Sequence, residues 1–235
     1  MSESITSLLV NSKQYSLTAT AGEQLHDTFV DNRAVLLQNF YQGSALELLR
    51  HEAERLAKNA TRRDFKMVET DNSVRIMNTV NGDVIDEYSS LIPLLYNDPP
   101  LCEFLSAITG ERLYTVQDPG ENYVLNILHQ KGDTHGAHID TYAYALITVL
   151  EAPNEGDGGC QELVPRAIEQ KELDGPNVVR ICPKPGDCVL LGAGDSIHRV
   201  APLLRSSVKR MVIASSFANE KTLNQVSYST EKLYG

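Results

Sequence analysis

The 235-residue sequence predicts a mainly β fold with flanking helices, built on a double-stranded β-helix (jelly-roll, cupin-like) core. Three observations predict it. From about residue 112, short β-rich runs follow one another: RLYTVQ, NYVLNIL, YAYALITVL, VVRICP, DCVLLG and RMVIASSF. Turn residues separate them, as in PNEGDGG at 153–159 and KPGD at 184–187. Before residue 112, most apolar positions follow helical spacing instead. A strand buries one face and needs a second sheet to bury it against, so many short strands with Gly/Pro turns close into a sandwich or barrel.

Taken along the chain, Arg33–Phe40 (RAVLLQNF) reads as a short strand. Ser44 with Glu47 three residues on is a capping-box pattern, in which side-chain oxygens take up free N–H groups of the first turn. Leu46, Leu49, Ala53 and Leu56 then keep helical spacing through ALELLRHEAERLAKN. Residues 83–95 and 99–109 read as two more helices, expected against one outer sheet. The polar tail 220–235 is either a frayed end or a segment folding over the core; it and the Asn72–Arg75 region are the places where a lid can form. No repeat or linker divides the chain. One domain is expected over 1–235, with a support region (1–110), a jelly-roll core (111–219) and the tail (220–235).

Composition narrows the class. With 42% hydrophobic and 22% charged residues the chain is globular. Its 31 acidic against 21 basic residues, net -10, argue against a nucleic-acid face, which needs a basic patch. No apolar run approaches the ~18 residues that span a membrane. MSESITSLLV lacks the basic and apolar regions of a signal peptide. Cys102, Cys160, Cys182 and Cys188 form no CxxC pair and read as four reduced thiols of a cytoplasmic protein, with Cys160 the most exposed. His26 and His51 lie in helical text and are expected on the surface.

The chemistry concentrates in KGDTHGAHIDTYAYALITVL, residues 131–150. His138 and Asp140, two apart on a strand, point to one face. An imidazole and a carboxylate so placed can hold one metal ion. His198, in GDSIHRVAP, is the only histidine beyond His138 and supplies a third ligand. Such a 2-His-1-carboxylate set leaves coordination positions open, as non-haem Fe(II) oxygenases require for a co-substrate and O2. Arg210 follows on a later strand, in KRMVIASSF. Its guanidinium can bind a carboxylate through two parallel hydrogen bonds, which suggests the distal carboxylate of 2-oxoglutarate.

These residues, with GGCQELVPR at 158–166, KPGDCVLL and the TEKLYG end, resemble the Fe(II)/2-oxoglutarate-dependent oxygenase superfamily. Within it the chain is most similar to enzymes acting on free amino acids, among them the radical halogenases of free lysine; residues 110–235 carry the likeness well and the N-terminal half only loosely. The resemblance implies Fe(II), 2-oxoglutarate and O2. In the halogenases a glycine stands at the carboxylate position and chloride takes the vacated site. Asp140 fills it here, which implies hydroxylation, or another oxidation such as desaturation. By position, Glu121 would contact a substrate amine, His135 the substrate, and Arg75 a substrate carboxylate. Tyr228 or Tyr234 would stand for a tail aromatic that closes over it. Asn126 and Tyr123 would help hold 2-oxoglutarate. The expected partner is a small molecule, a free amino acid, with a basic one such as lysine as the narrower expectation, and with no nucleic acid and no membrane; a homodimer is left open. Two alternatives stand beside this reading: an oxygenase of another small metabolite or of a protein side chain, and a non-catalytic jelly-roll metal-binding module.

Overall fold

A computed structural model gives the fold of residues 19–226, the residues described below. The N-terminal part holds α1 (Ala19–Asn32), β1 (Ala34–Leu37), α2 (Gly43–Leu56), β2 (Thr61–Met67), β3 (Ser73–Val80), α3 (Gly82–Tyr88), α4 (Leu91–Tyr96) and α5 (Pro99–Thr109). The strand-rich part holds β4 (Tyr114–Thr115), β5 (Tyr123–Leu128), β6 (Thr134–His138), β7 (Tyr144–Glu151), β8 (Gln161–Leu163), β9 (Val179–Ile181), β10 (Cys188–Leu191), β11 (His198–Val200) and β12 (Arg210–Ala218). The antiparallel strands run in the order β1-β10-β7-β12-β5-β3-β6-β11-β8-β9, with β2 on β3 and β4 on β12. This is the nearly closed β architecture that the strand pattern predicts.

Alternation along the strands separates two apolar regions. On β12, Met211, Ile213 and Phe217 face one way and join a large buried cluster with Phe29, Leu49, Leu56, Ile85, Leu105 and Ile108 from the helices. Arg210, Val212, Ala214 and Ser216 face the other way, into a cavity between the sheets. The helices therefore cover the outer face of one sheet, and each fully buried Leu, Ile or Phe there contributes roughly 1.5–3 kcal/mol. On the inner side, Ile147, Val149, Leu163, Val189 and Leu191 form one apolar cluster. Met77, Leu128, Val200 and Leu203 form another.

β3 joins the two sheets. One of its edges pairs along its whole length with β2, from Thr61↔Thr79 to Met67↔Ser73. The other edge is divided: Arg75 and Ile76 pair with β6, and Asn78 to Val80 pair with β5. β5 and β6 are consecutive strands that separate into different sheets, and β3 spans the seam between them.

Several local expectations change. α2 buries Ala45, Leu49, Ala53 and Leu56, as its spacing predicts, but it begins at Gly43 after Gln42, with no side-chain cap bond. Ser44 already lies inside the first turn, and Glu47 pairs with Arg50 instead. α1 and the β2–β3 hairpin were not anticipated. His26 is half-buried, its Nδ1 bonded to the Ile108 carbonyl at 2.9 Å. The four cysteines are not all thiols. Cys160 and Cys182 form a disulfide across 22 residues, continuing the Gln161↔Ile181 register of β8 and β9, and Cys160 is buried rather than exposed. Sequence separation hides this pairing because the two residues meet only when the hairpin closes. Cys188 is a buried thiol and Cys102 a half-buried one. Among the described residues no helix is long and apolar enough to cross a membrane.

Candidate metal centre

His138 ends β6, Asp140 lies two residues beyond that strand, and His198 begins β11. β6 and β11 are neighbours, with His138 directly opposite His198. The Asp140 backbone N–H donates to the Ala193 carbonyl at 3.0 Å, so the turn before β11 holds the carboxylate beside the two rings. One ligand atom from each of the three residues lies within 4.8 Å of the others.

The tautomers follow from the second ring nitrogens. His138 Nδ1 sits 2.7 Å from the Gly136 carbonyl, and His198 Nδ1 3.0 Å from the Ser196 carbonyl. A carbonyl only accepts, so both Nδ1 atoms carry the proton and both Nε2 atoms present a lone pair. Those Nε2 atoms lie 3.3 and 3.7 Å from Asp140 Oδ1. Lone pairs facing a carboxylate oxygen need a cation between them, so the donor set fits a divalent metal ion. Backbone orientation of the far imidazole nitrogen is also how metal-binding histidines are ordinarily fixed. Burial, reinforced by His198 and Arg75 and opposed by Asp140, pulls the His138 pKa down to about 4. For Asp140, burial raises the pKa, but the two imidazoles and Arg75 outweigh it and keep the carboxyl below its ordinary value. The histidine is neutral and the acid ionised at neutral pH, the states a metal requires.

The residues open into a cavity of about 260 Å³. Arg210 lies in its wall, 3% exposed, and burial alone lowers its pKa to about 10, which leaves it cationic at neutral pH. Among the described residues no carboxylate neutralises it. Asn126 also faces the cavity, 5% exposed, and its Oδ1 has no hydrogen-bond partner among them. Tyr123 does not join it. It is three residues from Asn126 on one strand, so it points to the opposite face, packs edge-on against Tyr96 at 5.1 Å and donates to Asp86.

Glu121, His135 and Arg75 all line the cavity. His135 reaches it because β6 carries an extra residue: His138 opposes His198 but His135 opposes Val200, three residues matched to two. This β-bulge turns His135 to the side of His138, and the rings stack at 4.1 Å and 22°. Burial, then the neighbouring His138 and Arg75, hold the His135 pKa well below its ordinary value. Arg75 is 1% exposed, and its Nη1 donates to Ser73 Oγ at 2.8 Å and to the Gly136 carbonyl at 3.3 Å. It sits within the sheet rather than on a lid. Tyr228 and Tyr234 lie outside the described residues. Sequence reasoning missed Thr70, Thr141 and Gln161, which also line the cavity.

A family model described as "Halogenase D" matches residues 17–234. A search of curated proteins finds no match. Among solved structures, the non-haem α-ketoglutarate-dependent epimerase SnoN from nogalamycin biosynthesis is similar, with a TM-score of 0.67 and 14% identity over 86% of this chain and 82% of that one. A prolyl hydroxylase from Trichoplax adhaerens, in complex with a hypoxia-inducible-factor peptide fragment, gives 0.66 and 15% over 92% and 95%. A 2OG-Fe(II) oxygenase-family oxidoreductase from Burkholderia pseudomallei gives 0.67 and 13% over 89% and 96%. At such identities these likenesses speak for the fold. The family match spans nearly the whole sequence, and by it the chain belongs to the Halogenase D family of enzymes, within the Fe(II)/2-oxoglutarate-dependent oxygenases.

Proposed function

We propose that the protein hydroxylates an unactivated C–H bond of a free amino acid, with Fe(II) held by His138, Asp140 and His198 and with 2-oxoglutarate and O2 as co-substrates. The observation that carries the substrate class is the pair of opposite charges, Arg75 and Glu121, lining the cavity that the triad opens into. A guanidinium and a carboxylate in one small cavity are the complement of a zwitterion. A basic amino acid such as lysine is the narrower form of this reading, with Glu121 taking the cationic end.

Iron held there would supply the oxidation, in which O2 places one oxygen on the substrate and the other in the succinate formed, with CO2, from 2-oxoglutarate. The protein's residues orient and exclude. Arg210 binds the distal carboxylate of 2-oxoglutarate, and Asn126 accepts a hydrogen bond in the same space. His135, neutral and stacked on His138, offers its Nε2, which has no partner among the described residues, to the substrate. Asp140 supports hydroxylation over halogenation, because its carboxylate, beside the two imidazoles, would take the coordination position that a halide would need.

The test is a screen of the twenty amino acids plus ornithine, with Fe(II), ascorbate and 2-oxoglutarate, for mass gain of one oxygen coupled to succinate release. One substrate is expected to gain oxygen. Glu121→Ala and Arg75→Ala are expected to abolish that gain while 2-oxoglutarate still binds. Full turnover in both variants would sink the amino-acid reading. Absence of succinate with every amino acid, together with no metal-dependent binding of 2-oxoglutarate, would favour a non-catalytic module.

A further inference from the structure

Two of the three candidate metal ligands hang on one turn, residues 192–197 between β10 and β11. The Ala193 carbonyl accepts from the Asp140 backbone N–H at 3.0 Å, and the Ser196 carbonyl accepts from His198 Nδ1 at 3.0 Å. Whatever fixes this turn fixes a carboxylate and an imidazole together. Arg33, the residue after α1, anchors it without lining the cavity. The Arg33 carbonyl accepts from the Gly192 N–H at 2.8 Å. Arg33 Nε and Nη2 donate to the two carboxylate oxygens of Asp195 at 3.1 and 2.8 Å, a bidentate fork. Asp195 also accepts from Ser196 Oγ at 2.9 Å.

The backbone around Arg33 is built for its side chain. Its φ is +51°, left-handed, at the end of a helix, where glycine is usual because a Cβ is strained there. The guanidinium lies over the Phe29 ring, 4.9 Å from the centroid. A Cβ on Gly192 would meet Arg33 Nη2 at 2.6 Å and Cζ at 2.7 Å, so the turn is shaped around the guanidinium. Asp195 is half exposed, and an ion pair open to water adds little stability. What the fork supplies is geometry: it orients Asp195 and, through the Ser196 hydroxyl, the residue whose carbonyl fixes the His198 ring.

We infer that Arg33 is a positioning residue for the metal centre, holding the 192–197 turn so that Asp140 and His198 converge on the ion with His138. The inference rests on the proposed metal ligands and adds to them a residue that touches neither ion nor substrate. Without the fork the turn loosens, and the ion loses affinity and defined geometry although every ligand is still present.

The experiment is titration of the metal-free protein with Co(II), followed by visible absorption, which reads both affinity and ligand geometry. Arg33→Gly removes the fork and leaves the residue that the helix end prefers. Asp195→Ala removes the partner and leaves α1 and its end untouched. Each is expected to bind Co(II) about tenfold more weakly, with altered absorption bands, the lower end of what supports of metal ligands are worth. Circular dichroism identifies the folded variants; if Arg33→Gly does not fold, Asp195→Ala decides alone. A folded variant with the parental Co(II) affinity and spectrum overturns the proposal even if its melting temperature has fallen, since a merely structural contact acts on stability only. Failure of the proposed function looks different: the unsubstituted protein would then bind no Co(II).

Discussion

Asp140 is the residue on which the proposed reaction type turns. Its Oδ1 lies 3.3 and 3.7 Å from the Nε2 atoms of two neutral imidazoles. Asp140→Gly removes one of the three proposed ligands and is expected to lower the proposed hydroxylation at least about 100-fold, since even outer partners of metal ligands matter by 10–100-fold. The rate of hydroxylated-product formation measures it, and hydroxylation at the parental rate would remove Asp140 from the ligand set. That His138, Asp140 and His198 would come together, with Arg210 on the wall of the same cavity, was legible in the sequence because their order and residue types mark them as a set. Tyr123 failed where period 2 should have been applied: residues 123 and 126 cannot share a face of one strand. His135 is the converse, since strict alternation would set it opposite His138, and only the bulge brings the rings together.

At the scale of elements, the bulge on β6 depends on Gly136. A Cβ there would meet Ser73 Oγ at 2.5 Å and Val74 backbone atoms at 2.6 and 2.9 Å. Gly136→Ala forces β6 away from β3 and is expected to destabilise the protein by about 1–3 kcal/mol. Urea unfolding reads this, and a midpoint at the parental concentration would refute the close approach. The turn before β6 is held differently. Asp133, wholly buried, accepts from Arg62 Nη2 at 2.6 Å and Nη1 at 3.0 Å, and from the backbone N–H groups of His129 and Gln130. Burial alone would raise its pKa, but Arg62 and the two N–H groups lower it below the ordinary value. A depressed carboxylate contributes stability above its unfolded pKa of about 3.9, and that contribution is lost as pH falls through the folded pKa. Asp133→Asn is therefore expected to cost about 3 kcal/mol at pH 7, with the gap to the parent narrowing in acid. A gap of equal size at pH 7 and pH 3 would show that the charge is not what matters. The β2–β3 hairpin that carries Arg62 was illegible because TRRDFKM is charged and exposed along one edge, and its partner strand supplies the apolar face.

For the whole molecule, the strand-rich architecture was readable because each strand carries its own alternation and turn signals. The disulfide was not, because it depends on which hairpin strands become neighbours. Closing a loop of 22 residues restricts the unfolded chain by about 3 kcal/mol. Reduction is accordingly expected to lower the melting temperature by roughly 6–12 °C in a chain of this size. Scanning calorimetry with and without dithiothreitol measures the shift, and an unchanged melt would remove the bond from the stability of the native state.

The divided edge of β3 has a consequence for heredity and engineering. The strand that closes the seam also carries Arg75 into the cavity. Exchanging the N-terminal segment between related proteins would replace a cavity-lining cation and a structural closure in the same event. A chimaera with a mismatched segment would leave β5 and β6 with raw edges, the templates on which chains add to one another as fibres. A cation of the cavity wall and the closure of the seam are inherited on one strand.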